Sequence, residues 1–266
     1  MAQEKTVSDL FSNPIVKKIS KIEETSDNCA SYRGIAAKCG FFMLMVVAGV
    51  AVEFLIRNAF PFEPSLAADG MYANIPELIG AGAAVLFSLI FSIAGSFVLK
   101  LAPIFGAISC LSYGYIFAFL GNVIETYGSV ILLALIFTVA IVAAMQILFS
   151  TGKIKVTNKF VTVLLTILIS SLIGSLLVFV CSFIPGLREV VEFVRQNTAI
   201  SILMSIGGVI LASLFLLVDF SQIQQTVENK LPKKYEWAAA FSLTFTVIWL
   251  YLEILNLLSK VKDSSK

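Results

Sequence analysis

The sequence predicts an all-α, polytopic membrane protein of about seven transmembrane helices. Apolar residues make up 58% of the 266-residue chain and charged residues only 14%. Soluble domains carry about 45–50% and about 25%. Mean hydropathy is +0.94. The apolar residues are also gathered into runs of about 20, the length that crosses a bilayer core. These observations exclude a disordered chain and argue against a soluble enzyme.

Residues 1–38 form a polar tail without a long apolar run, so the first apolar segment is expected to stay as an uncleaved anchor. Seven spans follow, at 39–56, 78–99, 102–121, 128–150, 160–184, 198–220 and 237–258, within a membrane domain covering 39–258. A short polar tail occupies 259–266. Only Lys100 and Leu101 separate the second and third spans, and merging them gives a competing count of six. With the N-terminus inside, 13 of the 19 Lys and Arg residues fall on the inner side and six on the outer. That bias favours a cytoplasmic N-terminus in the cell membrane, although Lys260, Lys262 and Lys266 lie on the wrong side.

Within the tail, Ile15, Val16, Ile19 and Ile22 recur at helical spacing, with Lys17, Lys18 and Lys21 opposite. The fragment reads either as a helix lying on an anionic leaflet or as a plain terminal helix. Small residues recur four apart, as in Gly80/Ala84, Ser170/Gly174, Ser201/Ser205 and Gly208/Ala212. In lipid this spacing lets helix backbones approach, and it speaks for packing rather than chemistry.

Histidine is absent, which removes histidine zinc sites, Ser/His/Asp triads and histidine pH switches. Cys29, Cys39, Cys110 and Cys181 are widely spaced and read as buried thiols. A net charge of +2 gives no footprint for nucleic acid. No nucleophile–base pair is evident, so no enzymatic activity, cofactor or tightly bound metal is expected.

The spans hold three acids, Glu53, Asp219 and Glu253, and no base. An acid at mid-bilayer costs about 2.5–3.5 kcal/mol. Glu53 precedes Arg57 by four residues, a favourable helix-surface pair. Asp219 lies near the inner end of the sixth span and is read either as an acid escaping to the interface or as one facing the interior. Glu253 belongs to a pattern. At about 100° per residue, Ser242, Thr246, Glu253 and Asn256 fall within a stripe about 80° wide, with Thr244 alone off it. Such a stripe faces other helices or a wet cavity. Without histidine, these acids are the main candidates for any pH dependence.

The last third, LFLLVDFSQIQQTVENKLPKKYEWAAAFSLTFTVIWLYLEILNLLSKV, resembles the Bax inhibitor-like (YccA-like) family of membrane proteins. Residues 239–258, AAFSLTFTVIWLYLEILNLL, lie without a gap over a family pattern of the type AALSLYLDxINLFxxLLRLL. APIFGAISCLSYG and SNPIV are weaker echoes. The resemblance implies a seven-helix fold with the last helix central. It also implies a pH-sensitive calcium leak, closed by paired aspartates on the last two helices and helped by an arginine near the end of the second. Asp219 matches the first aspartate. The second falls on Thr246, which cannot ionise. Glu253, two turns on, is a possible substitute, and Lys100 stands nearest the arginine as a basic latch.

Together these readings predict a cation leak channel, with calcium as the transported ion and Asp219, Thr246 and Glu253 along its path. The alternative is a non-transporting regulator that binds a membrane protease or survival factor. Its docking surface would be the basic tail and the Lys230–Lys234 loop.

Overall fold

The computed structural model describes residues 29–60, 75–98, 101–123, 128–152, 156–184, 186–189, 192 and 197–264. Among them, seven long helices follow in order: α1 Tyr32–Ala59, α2 Ile75–Phe97, α3 Ala102–Val123, α4 Gly128–Ser150, α5 Asn158–Cys181, α6 Thr198–Glu228 and α7 Tyr235–Ser264. Each is long and apolar enough to cross a membrane. The basic tail fragment, SNPIV and Lys100 lie outside the described residues.

The helices match the expected spans, and hydrogen bonds set their ends where hydropathy does not. α1 starts seven residues before its apolar segment because the Ser31 hydroxyl caps it, accepting from the Gly34 N–H at 3.0 Å. α2 and α3 are separate helices. The chain turns between them through Leu101 N–H to Val98 O at 3.0 Å, and Pro103 in the first turn of α3 presets its φ. α6 continues to Glu228, eight residues past the expected end of its span, and α7 continues to Ser264.

The described residues fall into two compact units, both of which include parts of α6 and α7. The first takes residues up to Leu132 together with Gln222–Phe245; the second takes Leu133–Ser221 and Thr246 onward. In the first, α1 and α3 pack backbone to backbone. A Cβ on Gly49 would collide with the Leu111 carbonyl, and one on Gly114 with the Val46 carbonyl. Phe42, fully buried, packs against Trp237 and Phe241, and Tyr115 packs with Ala81 and Ala84. In the second, Leu164, Leu211 and Val218 form the core, flanked by Phe215 and Trp249.

Within the first unit, the start of α1 is joined to the start of α7. Cys29 and Pro232 form an antiparallel bridge, and the Ala30 N–H donates to Leu231 O at 2.7 Å. The Ser31 N–H donates to Glu236 Oε1 at 2.8 Å, and Lys38 Nζ pairs with the same carboxylate. The first and last spans therefore begin on one membrane face, which requires an odd number of crossings. A six-span chain would put these starts on opposite faces. Of the seven helices α7 is the most enclosed: 56% of its apolar window is buried, against 39% or less elsewhere.

Glu236 is fully buried, while Arg188 and Glu192 form a mostly exposed pair. Removing one partner of a buried pair costs about 3–5 kcal/mol, and an exposed pair contributes about 0–1 kcal/mol. Lys38→Met is therefore expected to lower unfolding stability in detergent strongly, with Arg188→Gln near wild type. Likewise Gly114→Ala should lose the folded, monodisperse species in size-exclusion chromatography. Gly174→Ala, with nothing within 4 Å of the added carbon, should keep it.

Candidate ion-pathway site

α6 carries Leu216, Leu217, Val218, Asp219 and Phe220 in succession, and all five are buried. Five consecutive residues point in every direction around a helix, so α6 is enclosed at this level. Asp219, 4% exposed, is therefore enclosed by protein. The helix runs nine residues beyond it, to Glu228.

Glu253 of α7 faces α6. Its Oε1 accepts from the Trp249 indole N–H at 3.0 Å, one turn earlier. Across from it stands Gly208, where a Cβ would collide with the carboxylate. Further along, Asn256 Nδ2 donates to Ser205 Oγ at 3.5 Å. Lys260 Nζ donates to Ser205 Oγ at 2.7 Å and to Ser201 O at 3.2 Å. So Gly208, Ser205 and Ser201 successively meet Glu253, Asn256 and Lys260. The small residues expected only to allow close packing also supply the oxygens that receive α7's polar groups.

This register separates the two acids. Asp219 lies eleven residues beyond Gly208 on α6, about 16 Å along the axis at about 1.5 Å per residue. Thr246, 6% exposed, lies seven residues before Glu253, about 10 Å nearer the start of α7. Both Asp219 and Thr246 have interaction partners of their own.

The predicted stripe is inward only in part. Thr246 is buried, Ser242 and Glu253 are half-buried, and Asn256 is exposed even though it reaches Ser205. Thr244, expected to lie off the stripe, is 1% exposed and donates to Ala240 O at 2.8 Å. α7 is enclosed around most of its circumference here, so a residue need not be on the stripe to be buried.

Two polar groups were missed from the sequence. One is Glu236, received by Lys38, by the Ser31 N–H at 2.8 Å and by the Ser31 hydroxyl at 3.2 Å, with Gly34 leaving room for the carboxylate. The other joins α1, α2 and α3. Arg57 Nε is 3.9 Å from Glu77 Oε1, so the arginine expected to serve Glu53 reaches across to α2. Glu53 and Glu77 are each 1% exposed. The Tyr115 hydroxyl donates to the Glu77 carbonyl at 3.2 Å. Among the described residues no three His, Cys, Asp or Glu side chains converge as a metal site.

The seven apolar helices and their enclosed acids define a multi-pass α-helical membrane protein. The model of a family described as Bax inhibitor 1 like matches residues 11–263, nearly the whole chain, and the protein belongs to that family. No curated protein and no solved structure matches it.

The Gly208 contact is testable against its neighbour. Gly208→Ala is expected to displace the Glu253 carboxylate, at a cost of about 1–3 kcal/mol, and to shift Trp249 emission in a Trp237→Phe background. Gly207→Ala, with open space around the added carbon, should leave both unchanged or raise stability slightly.

Proposed function

We propose that this protein is a pH-sensitive leak channel for cations, calcium among them, in the cell membrane. The observation that carries the reading is Asp219, an acid held inside the enclosed part of α6. Packing does not require it, since an apolar side chain would fill the space without the desolvation cost. In this reading Asp219 senses protons and attracts the cation. Glu253 supplies a second carboxylate further along the α6–α7 seam, and Thr246 an uncharged oxygen between them. Calcium takes oxygen ligands, and all three side chains offer oxygen. The N-terminus is cytoplasmic, on the Lys and Arg bias of the flanks.

The gate differs from a carboxylate pair. Thr246 occupies the second aspartate position and cannot carry charge, and Glu253 meets α6 about 16 Å from Asp219 along the axis. Gating therefore rests on the single acid Asp219, with Lys100 as its candidate basic latch. The reaction is passive transfer of an ion, with no bond made or broken.

Purified protein in liposomes should release trapped calcium at a rate that varies with pH. Asp219→Asn should abolish the variation. Glu253→Gln should keep it and lower the rate at every pH. No flux from pure protein, or unchanged flux in both variants, would overturn the channel. Silent liposomes with one stoichiometric partner in a pull-down would instead favour the non-transporting regulator.

A further inference from the structure

A cation of the protein's own stands at the end of the α6–α7 seam, beyond the acids. Lys260 of α7 donates from Nζ to Ser205 Oγ at 2.7 Å and to the Ser201 carbonyl at 3.2 Å. Both helix segments belong to the second unit. Ser205 is 3% exposed, and its hydroxyl donates to Ser201 O at 3.0 Å. Its lone pairs are thereby left for Lys260 and for Asn256. Lys260 lies seven residues past Glu253, within about 20° of it around α7 and about 10 Å further along the axis. Ammonium and carboxylate therefore share one face of the helix. Lys260 is also one of the three lysines that break the charge bias of the flanks. Its ammonium is turned into the seam, which accounts for its place there.

Holding the helices together does not require a charge at this position. Asn256 brings an uncharged donor to the same Ser205 oxygen. What an ammonium adds is a full positive charge. The other charges nearby leave it in place. α6 carries no charged residue before Asp219. On α7 the nearest acids are Glu253 and Asp263; Asp263 is exposed, and it and Lys262 have interactions of their own. In the segment before α6, Arg188 and Glu192 pair with each other at 3.6 Å, and Glu189 is exposed. Exposed charges are screened by salt within about 8 Å, and enclosed ones much less. α6 begins here with its positive end and α7 finishes with its negative end, so the two helix dipoles largely offset.

We propose that Lys260 is a tethered cation that discriminates against divalent ions at the Glu253 end of the seam. The proposal rests on the reading of this seam as the ion's path. An ion entering past the end of α7 meets the ammonium on the Ser201 and Ser205 oxygens before it reaches the Glu253 carboxylate. Those are oxygens that a metal ion would itself take as ligands. Repulsion scales with the charge of the ion, so the factor by which Lys260 slows a monovalent ion is squared for a divalent one. Glu253 attracts cations and Lys260 keeps the flow of calcium low relative to potassium.

The test uses full-length protein in liposomes loaded with calcium or with potassium. Lys260→Gln keeps a hydrogen-bond donor and removes the charge. It should speed potassium release about fivefold and calcium release about 25-fold, so the calcium-to-potassium ratio rises about fivefold. Lys260→Met should raise the ratio equally, with its thermal midpoint in detergent showing that the fold survives. Lys260→Arg, which keeps the charge, and Lys262→Met, which removes a charge from another face of α7, should keep the wild-type ratio. Release from wild type with an unchanged ratio in Lys260→Gln and Lys260→Met would overturn the role of Lys260 and leave the leak standing. So would equal gains for the two ions, the mark of a loosened seam. No release from any of these proteins would overturn the leak itself and this inference with it.

Discussion

A carboxylate taken out of water must be met by donors and given room, and in this chain that requirement decides where helices approach. Both glutamates of α7 obey it in the same way. Glu236 is received by Lys38 and Ser31, and Glu253 by Trp249. In each case a glycine on the facing helix clears space for the carboxyl group, Gly34 of α1 for Glu236 and Gly208 of α6 for Glu253. Apolar packing in lipid is only weakly directional, because the acyl chains are as oily as the side chains they replace. The buried acids supply directionality. They bring α1 to the start of α7 and α6 to its second half.

The same logic explains why α7 is the most enclosed of the helices and also rich in polar groups. A helix facing lipid has no donors beside it, so a polar side chain there is unsatisfied. On α7, Thr244 turns back to its own Ala240 carbonyl, and Lys260 and Asn256 find Ser205. α5 is the opposite case: only 6% of its apolar window is buried, and Ser171 and Ser175 donate to carbonyls of their own helix. Hydroxyls tolerate exposure because they close locally, and carboxylates do not.

The number and place of the spans were legible because the bilayer imposes one length and one composition on every crossing. The ends were not. α1 begins at a serine cap and α6 ends at a left-handed lysine, and neither feature alters hydropathy. The α7 stripe was legible from helical periodicity, but periodicity assumes one buried side, and Thr244 is buried on another. Glu236 and Glu77 escaped notice because each sits in the first turn of a helix, just outside the most apolar stretch. There an acid looks like an ordinary favourable charge at a helix start. What makes Glu236 unusual is Lys38, 198 residues away, and no local pattern announces so distant a partner.

The distribution of acids also bears on whether two carboxylates of the last two helices can pair. Two carboxylates in contact share a proton, and their titration belongs to the pair. Here the register of Gly208 with Glu253 and of Ser205 with Asn256 fixes the sliding of α7 against α6. To bring Glu253 level with Asp219, α7 would slide about three turns of helix, about 16 Å. That slide breaks the Lys260 contacts to Ser201 and Ser205 and withdraws Glu253 from the glycine that admits it. Shifts between packed helices are normally one turn or less. The two acids therefore stand at separate levels of α6, about 16 Å apart along its axis, and direct contact between them does not fit this register.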